Sequence, residues 1–434
     1  MQTRLWYTAA AALAVTAAAG VAAGASSREP ARGSVTPPPS AAHIRDLDIE
    51  FYRARVAQDP RSARDFTQLA GLYLQRARET ADNGDLVRAE QTARHSLALR
   101  TGRNEAAFGV LASSLLGQHR FTEALAAGEQ LLAADSTSVS ARGLVAETEM
   151  ELGRYAEADS LFGTLRMYQG DLGVAPRVAR WEELRGRPER ARRLLRQARD
   201  EAERRHGMPR EQVAWFRLRL GDLALRAGRL GEARRELDAG LRIAPGDYRL
   251  LGSRARLDAV GHDWRAAAAD GELAVARALD PATLGLLSDA YTALGDTAKA
   301  REYYRALTLS VLRQPGPYHR AWSLFLLDHG QEVPRVLGKV EEELRTRRDI
   351  YGYDLLAWAL HQSGRDAEAR APMQRALGLG TRDAMLYFHA GMIDLALGDR
   401  TSARTRLETA LTINPWWHPS QPAEARAVLD TLAR

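Results

Sequence analysis

The sequence predicts an all-α solenoid of about ten helix-turn-helix units, with a capping helix at each end. Three observations carry that expectation. Between Tyr353 and Pro415 one unit occurs twice: Gly364 recurs as Gly398, Ala369 as Ala403, Ala376 as Ala410 and Leu377 as Leu411, each a step of 34 residues. A fixed period of that size marks a stacked helical array. Turn glycines carry the period upstream, through Gly153, Gly186, Gly228, Gly261, Gly295 and Gly330. Alanine is abundant while valine and isoleucine are sparse, which favours helix over strand. A chain of 434 residues would ordinarily suggest two or three globular domains. An array replaces that inference, because each of its units contacts only its neighbours.

The N-terminus precedes the array and reads differently. Arg4 is followed by an uncharged, Ala-rich run from Leu5 to Val21, and Ala23-Gly24-Ala25 fits the small-x-small rule for signal peptidase. Residues 1–25 are therefore expected to be a secretory signal, or else an uncleaved anchor, since such a run nearly spans a bilayer. Either way the rest of the chain is expected outside the cytoplasm, in the periplasm or cell envelope, or anchored to the inner membrane and facing outward. Residues 26–42, with Pro30, Pro37, Pro38, Pro39 and Gly33, read as a semi-extended linker.

Residues 43–60 are expected to form the first capping helix. Ile44, Leu47, Phe51 and Ala54 lie at helical spacing on one face, and Asp59-Pro60 ends it. The array is assigned to 61–417. In its first unit Phe66, Leu69, Ala70 and Tyr73 mark one helix. Gly84-Asp85 is the expected turn, and Ala89, Ala93 and Leu97 mark the second helix. Extra residues between Tyr73 and Gly84 predict a longer pair. The second unit carries His119 where others have the turn glycine. Each turn glycine sits just past a helix end, where a left-handed backbone is strained for a residue with a side chain. Five residues later stands a small residue, Ala158, Ala191, Ala233, Ala300, Ala369 or Ala403. A larger side chain there would push the paired helices apart, at about 1–3 kcal/mol. Four residues further is a bulky packer: Phe162, Leu195, Leu237, Tyr304, Met373 or Leu407.

These positions resemble the tetratricopeptide repeat, a 34-residue helix-turn-helix. The last unit supplies Tyr387, Gly391, Ala403, Ala410 and Pro415, and another supplies Leu287, Tyr291, Ala300 and Tyr304. No single unit is complete, so the resemblance rests on shared spacing over about 61–417. It implies a right-handed superhelix that binds a protein or peptide along its concave face. Three units depart from the pattern. A 42-residue step carries the insertion Arg204 to Pro209. Asp263-Trp264 shifts the register after Gly261. Pro334 and Arg335 alter the unit after Gly330. Residues 418–434 are expected to cap the last unit, with a helix from Pro422 to Leu432.

Composition and motifs exclude several chemistries. With no cysteine there are no disulfides, thiolate metal sites or thiol nucleophiles. No Gly-rich phosphate loop, His-Glu-x-x-His or Gly-x-Ser-x-Gly is present, so no enzyme activity, cofactor or metal is assigned. His319, His361 and His389 fall in successive units, but their register positions share no face, which argues against convergence on one ion. The formal charge is +6, and only Lys299 and Lys339 among the 61 basic residues are lysines. Because blocks of like charge are short, no nucleic-acid partner is assigned. Membrane association is expected only through the N-terminal segment if it stays uncut. Arg190, Arg193, Arg196 and Arg199, interleaved with Glu189, Asp200, Glu201 and Glu203, read as a solvated, salt-bridged face.

The concave face should take residues two, five, nine and twelve of each first helix, if the resemblance holds. That register presents Arg320, then Tyr351, Asp354, Trp358 and His361, then Met385, Phe388 and Met392. Such a lining would suit an extended peptide or amphipathic helix, with Trp358, Phe388 and Met392 at its centre. The same residues could instead be covered by a tight superhelix or by the C-terminal helix. Upstream the register reads Gly143, Glu147, Arg180, Glu183, Asp222, Asp258 and Asp289, which is more polar. The expected function is a non-catalytic, protein-binding scaffold of the bacterial cell envelope. The alternatives are a metal-handling or accessory subunit of an envelope complex and a membrane-anchored regulator.

Overall fold

The computed structural model describes residues 41–312 and 320–434, and Ala41 to Arg434 form one unit. The expected signal and most of the linker, together with His319, lie outside the described residues. Every regular element among the described residues is helical. After α1 (Ala41–Gln58) come ten antiparallel pairs: α2 (Ala63–Thr80) and α3 (Asn83–Leu99), α4 (Glu105–Gly117) and α5 (Phe121–Ala134), α6 (Val139–Glu151) and α7 (Tyr155–Thr164), α8 (Ala175–Leu184) and α9 (Pro188–Arg204), α10 (Arg210–Arg226) and α11 (Leu230–Ile243), α12 (Tyr248–Val260) and α13 (Trp264–Val275), α14 (Pro281–Ala293) and α15 (Thr297–Leu312), α16 (Arg320–Asp328) and α17 (Val333–Glu343), α18 (Ile350–Gln362) and α19 (Asp366–Ala376), and α20 (Ala384–Ala396) and α21 (Arg400–Ile413). The last helix, α22 (Gln421–Leu432), packs on α21.

Pairing follows from side-chain size. Ala158, Ala191, Ala233, Ala369 and Ala403 are buried in the first turns of their helices, and Phe162, Leu195, Leu237, Met373 and Leu407 are buried one turn on. The first pair is long, as its spacing implies, with helices of 18 and 17 residues. Its turn is elsewhere than expected. Ala81, not Gly84, takes the left-handed conformation, and Gly84 lies inside α3, its N–H donating to the capping Asp82 carboxylate at 2.8 Å. Likewise His262, one residue after Gly261, carries the positive φ of its turn. His119 adopts φ 56° where the second unit lacks glycine. The unit after Gly330 starts α17 at Val333 with Pro334 in its first turn, and the Arg335 guanidinium lies over the Trp322 ring at 5.6 Å.

The first helix is turned over relative to expectation. It begins at Ala41, inside the stretch read as linker, and buries Arg45 and Ile49 against α2. Ile44, Leu47 and Phe51 are about half exposed. Ile49, Tyr52 and Val56 form a second apolar stripe at helical spacing, and this one packs on Leu69, Tyr73 and Leu74. Burial of Arg45 is made possible by its ion pairs with Asp46 and Glu79.

Local period does not reveal how the array returns on itself. Three successive first helices, α6, α8 and α10, end in carbonyls that have no partner within their own helix. Each receives a donor from about 190 residues further on. The Arg348 N–H donates to the Leu152 carbonyl at 3.0 Å, the Thr381 hydroxyl to Leu184 at 2.5 Å, and the Asn414 side-chain amide to Leu225 at 3.0 Å. The Ile350 N–H donates to the Tyr155 hydroxyl at 2.7 Å. Arg347 adds an ion pair to Glu151 at 3.5 Å and lies 5.0 Å from the Phe121 ring centre. Trp181, Leu184 and Leu223 share one hydrophobic core with Ile350, Ala384 and Leu386. The units from α18 to α21 are thus docked on the units from α6 to α10 by a contact repeated once per unit.

Docking explains two glycines that the turn alone does not. A Cβ on Gly153 would overlap the Arg348 carbonyl, and one on Gly186 would overlap the Gly380 carbonyl. Gly295, Gly330, Gly364 and Gly398 have the same positive φ with open space around them.

Candidate binding cleft

Of the residues the sequence assigns to the concave face, the structure brings Arg320, Tyr351 and Met385 together, and separately Trp358, His361 and Phe388. The Arg320 guanidinium lies 4.7 Å from the Tyr351 ring centre and 3.8 Å from the Met385 sulfur. It donates to the Asp354 carboxylate at 2.7 Å. Asp354 is fully buried and also accepts from His389 Nδ1 at 2.7 Å. A carboxylate only accepts, so Nδ1 carries the proton of that bond. Burial pushes the Asp354 carboxyl up, but His389 and Arg320 outweigh it and hold it below the usual range.

The aromatic centre expected at Trp358 and Phe388 is not an open groove. Trp358 is 5% exposed and Phe388 1%. Trp358 stacks on His389 at 4.1 Å and on His361 at 4.9 Å, and its indole N–H donates to Asp328 at 3.0 Å. Phe388 packs against Trp417, 5.6 Å between ring centres, and Trp417 is tied to Gln421 at the start of α22. The C-terminal segment therefore covers these rings. His361 is engaged by Asp366 at 2.5 Å, and Met392 packs half-buried against the core. Six of the seven expected residues thus lie in two touching groups, Arg320 with Tyr351 and Met385, and Trp358 with His361 and Phe388, and the rings of the second group are packed rather than open.

A charged cluster lies further upstream. Glu183 sits among three arginines: Arg226 at 2.7 Å, Arg180 at 2.9 Å and Arg219 at 3.9 Å. Burial would raise its carboxyl, but the three cations overcome this and hold it far below the ordinary range. Asp222 and Glu151 add negative charge near the same guanidiniums. Arg180 reaches the docked units as well, lying 5.6 Å from the Tyr351 ring centre. Burial foremost pushes the Tyr351 phenol up to about 12.

Beside this cluster opens a cleft of about 740 Å³ between the first helices of five successive pairs, α2, α4, α6, α8 and α10, with Arg249 of α12 at its edge. Half-buried Leu172, Met208 and Trp215 supply apolar wall. Arg177 is paired with Glu147 at 2.7 Å, and Arg249 with Asp247 at 2.6 Å. Arg78 has no carboxylate partner among the described residues. Burial, then the like charge of Arg177, lowers its guanidinium pKa, and Arg219 is lowered by burial and by Arg226. In both, burial is the first cause, so these guanidiniums lie in a poorly solvated wall, which Glu79, Glu147, Glu151 and Glu211 also line.

The sequence register does point to Arg180 and Glu183, but not to Arg78, Arg219 or Trp215. The missed signal in α10 is a stripe, Trp215, Arg219, Asp222 and Arg226, at alternating steps of four and three. In the basic stripe on α9 Arg199 pairs with Asp200 as expected, and the stripe and its neighbour Arg192 also have partners on other helices. Arg192 and Arg196 reach Glu232 at 2.8 and 3.1 Å, Arg199 reaches Glu236 at 3.1 Å, and Arg190 reaches Glu182 at 3.4 Å, so the pairs join neighbouring helices.

Residues 115–179 and 184–257 match one tetratricopeptide-repeat family model, and 281–309 match a second. Most of the cleft lining thus falls in segments that match tetratricopeptide-repeat models, and the described residues form an all-α solenoid. Similar solved structures include the APC/C hetero-tetramer Cut9–Hcn1, 13% identical over 91% of this chain and 94% of that one, with a TM-score of 0.35. Yeast Tom70 is 12% identical over 90% and 93%, with a TM-score of 0.37. Naa15/Naa10 bound to HypK-THB is 13% identical over 90% and 66%, with a TM-score of 0.29. No curated protein matches the chain. Among the described residues no helix is long and apolar enough to cross a membrane.

Proposed function

We propose that this chain is a non-catalytic scaffold of the bacterial cell envelope, exported through its N-terminal segment, that holds an amphipathic segment of a partner protein in the cleft of about 740 Å³. The observation that carries the reading is the pairing of half-buried apolar side chains, Trp215, Met208 and Leu172, with Arg78, which has no carboxylate partner among the described residues, and Arg219, whose nearest carboxylate is 3.9 Å away, in one concavity. Trp, Met and Arg are the residue types that concentrate at the centre of protein interfaces. Apolar side chains of the partner would fill the wall, and its carboxylates would meet the guanidiniums. Preformed walls reduce the ordering cost of binding.

Two labelled peptides test this, one alternating Leu and Glu, the other Leu and Lys. Fluorescence anisotropy is expected to show binding of the Leu-Glu peptide and none of the Leu-Lys peptide. The double variant Arg78→Gln/Arg219→Gln should weaken the former about tenfold or more, since each tenfold corresponds to about 1.4 kcal/mol. Equal binding of both peptides, or an unaffected variant, contradicts the reading.

A further inference from the structure

A second cavity, of about 650 Å³, lies at the seam where the later units dock on the earlier ones. Its walls are the turn after α8, the turn after α10, and residues just before α20 and at the end of α21. Six arginines line it, Arg187, Arg190, Arg193, Arg226, Arg229 and Arg382, against two glutamates, Glu183 and Glu189. Glu182 and Glu232 approach from behind, pairing with Arg187 and Arg190 and with Arg229 respectively. Even with those counted, cations outnumber carboxylates.

The excess is concentrated on identifiable atoms. Arg193 of α9 and Arg382 of the docked loop are both exposed and have no carboxylate partner among the described residues. Arg226 and Arg229 each keep a buried Nη2 with no hydrogen-bond partner. A buried donor left unpaired costs free energy that an oxyanion would recover. The helices α9 and α11 begin at this cavity without side-chain caps, so their positive dipole ends face it, although Pro188 leaves α9 one N–H fewer.

We propose that this seam cavity binds a multiply charged phosphate, with the guanidinium forks of Arg193 and Arg382 closing on it from the two docked turns. Arginine forks match phosphate oxygens two at a time. This ligand is separate from the partner segment, and the two sites share only the edge of the Glu183 cluster. Because the anion would bridge both sides of the seam, its binding should also stabilise the docked state.

Calorimetry on the full chain at low salt tests the assignment, with pyrophosphate and ADP as probes. Pyrophosphate is expected to bind with micromolar affinity and to raise the melting temperature. The variant Arg193→Gln/Arg382→Gln changes two exposed side chains, and its helical circular dichroism verifies folding. It should lose at least tenfold in pyrophosphate affinity and most of the thermal shift. Tighter binding of ADP would assign the phosphate to a nucleotide, and equal binding to the diphosphate alone. No heat from either probe, or unchanged affinity in the folded variant, would overturn the proposal. Failure here with retained Leu-Glu peptide binding would leave the cleft reading standing, and the converse would leave the seam site.

Discussion

Asp354→Asn is expected to destabilise the protein by about 3 kcal/mol, read from urea unfolding at neutral pH. The carboxylate is fully buried and is the acceptor for both Arg320 and His389. Asparagine keeps the shape but offers one acceptor and one N–H₂ donor. One of the two donors then faces another donor, and the Arg320 charge loses its counter-charge. Removing one partner of a buried pair typically costs about 3–5 kcal/mol, and the lower end applies because the Arg320 side chain is 32% exposed and keeps some water. The folded-state pKa of Asp354 lies below its unfolded value, so this stabilisation is present above the unfolded carboxylate pKa of about 3.9. It is lost as pH falls through the lower folded value. The gap between wild type and variant should therefore hold from neutrality to about pH 5 and narrow below about pH 4. A gap that is constant down to acid unfolding would show that the charge is not responsible.

The second large effect is expected at the seam. Gly186→Ala should cost about 3 kcal/mol: roughly 1–2 for a left-handed backbone bearing a Cβ, and about 1–3 for overlap with the Gly380 carbonyl. Gly364→Ala has the same backbone requirement, with φ 71° against 70°, and nothing near the added carbon. It should cost only the first part, about 1–2 kcal/mol. The comparison isolates docking from turn geometry. Thermal unfolding should place Gly186→Ala well below Gly364→Ala, and it should also speed exchange of the amides around Thr381. Equal melting temperatures would mean that the two turns of the array are not held together as the structure indicates.

Legibility followed range. Most turn positions, the Ala-bulky packing code and the ten pairs could be read, because each depends on residues within one 34-residue unit. Ala81 and His262 escaped because a residue with a side chain replaced glycine at a left-handed position. The α1 helix has two apolar stripes, and its sequence does not say that Ile49, Tyr52 and Val56 outcompete Ile44, Leu47 and Phe51 for the packed side. The seam was invisible for a different reason. Leu184 and Thr381 are 197 residues apart, and their contact is set by how many units complete one superhelical turn. No local pattern encodes that number, and Thr381 and Asn414 look like ordinary loop residues. The site suffered from the same gap. Register brought out Arg320, Tyr351 and Met385 correctly as neighbours, but it could not show Trp417 lying over Phe388, nor Arg180 meeting Tyr351 from the other turn.

Partner binding is proposed on the inner face of the early units, away from the aromatic C-terminal ones. Amide hydrogen exchange, with and without saturating Leu-Glu peptide, tests that placement directly. New protection is predicted within 172–180 and 208–219, the segments that carry Leu172, Arg177, Arg180, Met208, Trp215 and Arg219. Protection confined to 350–392, or absent along the whole array, would contradict it.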